Sequence, residues 1–170
     1  IFNQEQLIKS NKNIICRGPD QTKTLFSNTA DIFESKSNLN LSLIFNRLSI
    51  IDLSDKASQP MISKDYQTLL LFNGEIYNNL DLRKSLENKG IKFDSHHSDT
   101  ETLLLGLSSE GLDFLEKVEG QFSIFFFDNK IKKGYLIKDR HGQKPLYYFS
   151  DKDKILFSSN FLSLSSLINK

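Results

Sequence analysis

The sequence predicts an α+β fold made of stacked layers of helices and mainly antiparallel strands. Three observations predict it: short apolar segments typical of buried strands, a helical block in the middle of the chain, and turn residues between neighbouring segments. Five segments have the strand pattern, at residues 41–45, 68–72, 122–127, 134–137 and 155–158. Turn residues at 128–130 and 150–153 predict hairpins and therefore antiparallel sheet.

Two predicted helices lie between the second and third strand segments. The first begins after Asn79, alternates leucines with charged residues, and stops at Gly90. The second begins at Ser98, and Glu101 stands three residues later, as in a capping box, in which each side chain bonds the other residue's backbone N–H. Strands on both sides of a helical block are what a layered α+β fold requires.

The composition favours one compact domain over residues 1–170, because domains commonly contain about 100 to 150 residues. Lys plus Arg is 22 and Asp plus Glu is 21, so there is no net field to attract nucleic acid or an anionic membrane surface. The longest apolar runs, at 69–72 and 124–127, are far shorter than the roughly 20 residues of a membrane helix. The single cysteine cannot form an internal disulfide, and no secretory leader pattern is present near Ile1. We expect a soluble cytoplasmic protein.

Four short motifs place charge or glycine at the edge of an apolar element: RGPD at 17–20, RLSI at 47–50, NGEIYN at 73–78 and SDTE at 98–101. Asn73-Gly74 can expose backbone N–H groups beside a side-chain amide, which would stabilise an oxyanion in acyl transfer, but the dipeptide alone is more typical of a simple turn. Arg47 and Asp99 can each be ordinary surface charges, since aspartate at a helix N-terminus is stabilising without any ligand.

Taken together, the same residues form a set. A zwitterionic amino acid needs a fixed cation for its carboxylate, a fixed anion for its ammonium, and polar donors where its side chain reacts. Arg47, Asp99 and Asn73-Gly74 would supply these three parts.

Several collinear motifs carry a family resemblance. They are RGPD at 17–20, RLSIID at 47–52, QPM at 59–61, NGEIYN at 73–78, SDTE at 98–101, EGQFSIFFFD at 119–128, DRHGQKPLYY at 139–148 and FSSN at 157–160. In this order they resemble the N-terminal glutaminase domain of glutamine-dependent asparagine synthetases, which are N-terminal-nucleophile (class II) amidotransferases. Glucosamine-phosphate synthase and amidophosphoribosyltransferase resemble the chain around SDTE but typically lack NGEIYN and KPLYY. The resemblance therefore favours the asparagine synthetase class.

The resemblance implies a fold and a reaction. The fold is N-terminal-nucleophile hydrolase-like, a four-layer αββα sandwich with two mainly antiparallel sheets. The reaction is hydrolysis of L-glutamine to glutamate and ammonia through a cysteine thioester, with no metal or other cofactor in this domain. The ammonia would amidate aspartate in a C-terminal synthetase domain that binds ATP and Mg, which these 170 residues do not include. Nucleic acid and membrane are not expected partners, and a homodimer is left open.

The resemblance also assigns the two charged ends of the substrate. Arg47 would bind the glutamine α-carboxylate. Asp99, helped by Glu75, would hold the α-ammonium.

The remaining assignments concern the pocket wall and the reacting end. The backbone around Ile50 and Ile51 would line the pocket. The Asn73 side-chain amide and the Gly74 N–H would form the oxyanion hole.

The chain departs from the family pattern at its start. Residue 1 is Ile, whereas the family has a cysteine at the mature N-terminus, whose α-amine can serve as the base. Only residues 1–16 precede RGPD, so the first strand is missing from the pattern, and we expect a domain truncated at its N-terminus and inactive alone. Cys16 follows two isoleucines, which predicts a small buried hydrophobe and not a substitute nucleophile.

Two other interpretations stay open. A degenerate, non-catalytic domain could bind an amino acid or a partner domain, because this chain has Cys16 and Phe45 where the family often has histidine, and Asn160 where it often has glutamate. An amidotransferase of a sugar or cell-surface polysaccharide pathway is the other, because the fold of a glutaminase domain does not identify the ammonia acceptor.

Overall fold

The structure of the chain is a computed structural model that describes residues 4–34, 39–48 and 58–168, to which all structural statements below refer. The strands are β1 (Gln21–Asn28), β2 (Asn40–Arg47), β3 (Met61–Ser63), β4 (Thr68–Ile76), β5 (Gly120–Asp128), β6 (Lys133–Lys138), β7 (Tyr147–Ser150) and β8 (Ile155–Ser158). The helices are α1 (Gln4–Asn11), α2 (Thr29–Phe33), α3 (Asn79–Asn88), α4 (Asp99–Glu110) and α5 (Phe161–Ile168). Short 3-10 helices lie at Ile15–Arg17 and Gly111–Lys117. None of these helices has both the length and the apolar character that crossing a membrane requires.

The predicted elements are all present. The five predicted strands correspond to β2, β4, β5, β6 and β8, and the two predicted helices correspond to α3 and α4. Both hairpins are confirmed, because β5 pairs with β6 and β7 pairs with β8 in antiparallel register. Other elements have no sequence signal of their own: α1 (QEQLIKSN) and β1 (QTKTLFSN) are too polar for apolar periodicity to mark them.

The central sheet has the strand order β3-β4-β5-β6 and is antiparallel throughout. Successive side chains of a strand point to opposite faces, and β4 shows this alternation. Leu70 and Phe72 belong to one apolar core, whereas Leu69 and Leu71 belong to another. The sheet is therefore buried on both faces, which explains why β4 begins as a continuous apolar run.

Helices α3 and α4 cover the first face of this sheet. Their core contacts include Leu86 and Leu103, which have no exposed surface, and Phe114 of the second 3-10 helix, which has 1%. Burying each such side chain contributes about 1.5–3 kcal/mol. This core fixes the start of α4 against β4.

Two hairpins, β1-β2 and β7-β8, cover the second face. Leu43 of β2 and Phe157 of β8 both pack in the core on that face, so the two hairpins share a layer. The neighbouring Leu156 faces outward and packs with Leu164 of α5 and Leu7 of α1, which form the fourth layer. The αββα sandwich is thus confirmed. Within the described residues, its second sheet layer consists of two separate two-stranded ladders.

Candidate active site

A cavity of about 590 Å³ lies between the two sheet layers. Five residues that the sequence assigns to ligand binding line it together: Arg47, Asn73, Gly74, Glu75 and Asp99. Ile50 and Ile51, which are predicted to line the same pocket, lie outside the described residues. The fold thus gathers into one cavity side chains from β2, β4 and α4.

Arg47 ends β2 and is nearly buried, with 9% of its surface exposed. It lies on the same face of the strand as Phe45, the face that packs on the central sheet. The backbone N–H of Asp20 donates to the Arg47 carbonyl oxygen at 3.1 Å. Gly18 approaches so closely that a Cβ there would lie 2.3 Å from the carbonyl oxygen of Asn46. The RGPD motif therefore supports the strand end that carries Arg47.

Asn73 and Gly74 lie inside β4, so the interpretation of this dipeptide as a simple turn is wrong. The ladder continues through both residues, with Asn73 opposite Ser123 and Gly74 opposite Phe122. The long pairing with β5 overrides the local turn preference of Asn-Gly. A Cβ at position 74 would lie 2.1 Å from the carbonyl oxygen of Gln121, so this strand spacing requires glycine.

The orientation of this pair follows from strand alternation. Asn73 lies on the same face of β4 as Leu71, which is the face toward the cavity. The Tyr77 N–H donates to the Glu119 carbonyl oxygen at 2.7 Å on the β5 side. Backbone N–H groups alternate between the two edges of a strand, so the Gly74 N–H points to the opposite edge, away from β5.

That edge of β4 is occupied on both sides of Gly74. The Phe72 N–H donates to Gln59 Oε1 at 2.6 Å, and the Ile76 N–H donates to Asp99 Oδ2 at 3.3 Å. The Gly74 N–H lies between these two and borders the cavity. Gln59 belongs to the QPM motif, to which the sequence analysis assigns no role. Its bond to the Phe72 backbone beside the site is therefore not predicted from the sequence.

Asp99 begins α4 and is buried, with 8% of its surface exposed. Burial raises the pKa of its carboxyl above the ordinary value of 3.8 and outweighs the backbone N–H groups of Ile76 and Thr100, which lower it; the charge of Glu75 adds to the rise. Glu75 itself is exposed at the cavity wall. A cation bound here would relieve both penalties, so the pair forms an anionic end of the cavity.

The predicted capping box at the start of α4 is only half formed. Ser98 Oγ accepts the Glu101 N–H at 3.2 Å, as predicted. The Glu101 carboxylate, however, accepts the N–H groups of Asp94 and Ser95 at 2.7 and 2.9 Å, and the Ser98 N–H donates to Ser95 Oγ at 3.2 Å. Arg83 donates to the Ser95 carbonyl oxygen. Glu101 therefore holds the loop that delivers Asp99, rather than closing a reciprocal cap.

Cys16 is exposed, so the prediction that it is a buried hydrophobe is wrong. It lies in the 3-10 helix Ile15–Arg17, in which residues three apart share a side. Ile14 and Arg17, three apart, line the cavity, and Cys16 does not. Its thiol is therefore not a nucleophile of this site.

Asp139 organises the loop at one rim of the cavity. Its carboxylate accepts the N–H groups of Phe122 and Gln143 at 3.0 Å each and that of His141 at 2.9 Å. Burial by itself would raise the pKa of this carboxyl, but the backbone donors outweigh it and lower the pKa to about 2. The loop carries Lys144 to the cavity wall. The sequence marks this segment only as a matching motif.

This chain is similar in sequence to a known domain family and to known proteins. The family profile described as "Glutamine amidotransferase domain" matches residues 2–169. Glutamine-hydrolyzing asparagine synthetase 1 of Bacillus subtilis is 36% identical over 162 residues, which cover 95% of this chain and 24% of that relative. A putative glutamine-hydrolyzing asparagine synthetase 2 of Methanocaldococcus jannaschii is 31% identical over 185 residues, covering 98% of this chain and 33% of that relative. The chain therefore spans only a third or less of the length of these relatives.

A solved structure agrees with the fold. Glutamine phosphoribosylpyrophosphate amidotransferase from B. subtilis, complexed with ADP and GMP, is similar with a TM-score of 0.74 and 17% sequence identity, covering 96% of this chain and 41% of that chain. This likeness confirms the expected N-terminal-nucleophile hydrolase-like architecture. The chain belongs to the glutamine amidotransferase domain family, and asparagine synthetases are among its relatives.

Proposed function

We propose that this domain binds L-glutamine and is the glutaminase half of a glutamine-hydrolysing asparagine synthetase. The observation that carries the proposal is the meeting of Arg47, Asp99 and the Asn73-Gly74 pair in one cavity. A cation, an anion and amide donors within a single pocket match the three polar ends of glutamine.

The two ends of the amino acid are assigned by charge. The α-carboxylate of glutamine pairs with Arg47, whose guanidinium can donate two parallel hydrogen bonds to it. The α-ammonium lies against Asp99 and Glu75, and its positive charge offsets the cost of burying the ionised Asp99 carboxylate. The side-chain amide of glutamine then extends along β4.

The reacting carbonyl lies at Asn73-Gly74. A thiolate attacks the side-chain carbonyl carbon of glutamine, and the oxygen of the tetrahedral intermediate accepts hydrogen bonds from the Asn73 side-chain amide and the Gly74 N–H. Collapse of this intermediate breaks the C–N bond, and the leaving nitrogen takes the proton that the thiol gave up before its attack, so that ammonia departs. Water then cleaves the thioester to glutamate and returns the thiol.

The thiol comes from outside residues 1–170 in this proposal. Cys16 does not line the cavity, and the family resemblance implies an N-terminal cysteine. Every residue from Ser42 to Leu48 and from Ile155 to Ser159 lines the cavity, so β2 and β8 turn strand edges toward it. Within the described residues neither edge has a second partner strand, which supports a site completed by further chain.

The product ammonia is used elsewhere in this proposal. A synthetase domain with ATP and Mg activates aspartate and receives the ammonia, while the glutaminase chemistry itself needs no cofactor. The asparagine synthetase relatives support aspartate as the acceptor.

The experiment has two stages. First, residues 1–170 are titrated with L-glutamine by calorimetry, with D-glutamine as the control; L-glutamine binding without hydrolysis is expected. Second, the full natural chain is assayed for glutamate release and for asparagine formation from aspartate and ATP, with and without a thiol-reactive glutamine analogue. Release that the analogue blocks supports the proposal. Glutamine binding without release by the full chain indicates the degenerate domain, and release without asparagine formation indicates a different ammonia acceptor.

A further inference from the structure

We propose that Gln59 is a positioning residue that fixes the oxyanion donor on β4 relative to the ammonium-binding carboxylate on α4. This inference rests on the proposed glutaminase function. Gln59 is 6% exposed and borders the cavity.

Gln59 pairs with the β4 backbone through both polar atoms of its side chain. Its Oε1 accepts the Phe72 N–H at 2.6 Å, and its Nε2 donates to the Phe72 carbonyl oxygen at 3.0 Å. The same Nε2 also donates to Thr100 Oγ1 at 3.3 Å. One buried amide thus joins a strand to the first turn of a helix.

The end of the β3-β4 ladder explains why a side chain serves here. β3 begins at Met61, opposite Leu70, so the β3 ladder does not reach Phe72, the next residue of β4 that faces this edge. The Gln59 amide has the donor and acceptor of a peptide group, so it takes the place of the next backbone partner. Without it, the Phe72 N–H and C=O would be buried and unpaired.

The two anchor points flank the site at short range. Phe72 lies two residues before Gly74 on the same edge of β4, and Thr100 directly follows Asp99. Asp99 itself accepts the Ile76 N–H two residues beyond Gly74. The β4 backbone is therefore bonded on both sides of the Gly74 N–H, by Asp99 at Ile76 and by Gln59 at Phe72.

The discriminating variant is Gln59→Met, which keeps the length of the side chain but neither donates nor accepts at Phe72. In the full natural chain we expect kcat for glutamine hydrolysis to fall by roughly 10- to 100-fold, because small misplacement of an oxyanion donor is costly. KM should rise by a smaller factor, since Arg47 is untouched.

A matched control weakens the contact between β4 and α4 at the end that is far from the site. Thr68 Oγ1 and Ser108 Oγ lie 2.6 Å apart and join the far end of β4 to α4. Ser108→Ala should lower the melting temperature and leave kcat and KM unchanged. If Gln59→Met and Ser108→Ala reduce activity in the same proportion to their loss of stability, the role is merely structural and the inference is wrong.

A second variant keeps the test decisive if Gln59→Met does not fold. Thr100→Val removes only the bond from Gln59 to α4, and we expect KM to rise several-fold with kcat nearly unchanged. An unchanged KM overturns the link to α4. An inactive wild-type chain that also fails to bind glutamine defeats the proposed function itself, whereas an active wild type with an equally active Gln59→Met variant defeats only the positioning role.

Discussion

The carboxylate of Asp99 accepts the backbone N–H of Ile76 at 3.3 Å, which ties the first residue of α4 to the last residue of β4. This bond aligns the anionic end of the cavity with the strand that carries Asn73 and Gly74. The carboxylate to which we assign recognition of the ammonium group therefore also makes a structural hydrogen bond. The cost of burying that charge leads to the first prediction.

Replacing Asp99 with asparagine should stabilise the free domain near neutral pH. Because the folded pKa is raised above 3.8, the carboxyl is protonated in both folded and unfolded chains at lower pH and carries no penalty there. As pH rises through the window between 3.8 and the raised value, the penalty of burying the charge grows and stability falls. Chemical denaturation from pH 3 to 8 should show Asp99→Asn more stable than the wild type at pH 7, with the difference closing as pH falls toward 3.8.

The same variant should lose glutamine affinity. An asparagine side chain can still accept the Ile76 N–H but carries no charge to pair with an ammonium group. Calorimetry at pH 7 should therefore give weaker binding by the more stable protein. A variant that is both less stable and equally good at binding glutamine would contradict the assigned role of Asp99.

Arg47 should contribute mainly to affinity. Replacing it with methionine removes charged hydrogen bonds of about 1.5–3 kcal/mol, which corresponds to roughly 10- to 150-fold weaker glutamine binding. Arg47→Lys should recover only part of this, because an ammonium cannot reproduce the two parallel bonds of a guanidinium. Arg140, which is exposed and does not line the cavity, provides the matched control: Arg140→Met should bind like the wild type.

Gly74→Ala should damage both stability and catalysis. The new Cβ would lie 2.1 Å from the Gln121 carbonyl oxygen, so β4 and β5 must separate, at about 1–3 kcal/mol. Gly134→Ala on β6 is the control, since its Cβ would meet only side-chain atoms, of Phe125 at 3.2 Å and of Phe127 at 3.8 Å. In the full chain, kcat/KM for glutamine should fall on the order of 100-fold for Gly74→Ala. A similar loss for Gly134→Ala would show that general loosening of the sheet is the cause.

The effect of Asp139 on the stability of the folded chain should depend on pH in the opposite sense to that of Asp99. Its folded pKa of about 2 is depressed below the ordinary 3.8, so its contribution is fully present above pH 3.8 and is lost as pH falls toward 2. Asp139→Asn should therefore be less stable than the wild type at pH 5 to 7, and the two denaturation midpoints should converge between pH 3.8 and 2. Parallel curves across this range would contradict the assignment.

Much of the central architecture is predictable because β4 and β5 are apolar enough to be recognised as strands and Ser98 marks the start of α4. The polar strand β1 is different: it exists because its whole length pairs with β2, and no local signal reports that pairing. Asn73-Gly74 illustrates the same limit, since a long-range ladder overrides a local turn preference.

The candidate site shows a similar division. The charged and glycine residues of the cavity carry recognisable motifs, so Arg47, Gly74 and Asp99 are found from the sequence. Gln59 is missed as a contact because its role depends on which backbone lies opposite it, and only the folded chain specifies that. Cys16 is misjudged because a short 3-10 helix turns it outward, against the expectation from its apolar neighbours.

The occupied edge of β4 has a further consequence, for self-association. An open strand edge presents a regular row of N–H and C=O groups to which an extended segment of another molecule can add, and this is a common start of aggregation. Past the end of β3, the Gln59 side chain accepts the Phe72 N–H and the Asp99 side chain accepts the Ile76 N–H. Of the three N–H groups that face this edge there, only that of Gly74 lies between two bonded neighbours. A small ligand can reach the single N–H between them, whereas an added strand would have to displace both side chains.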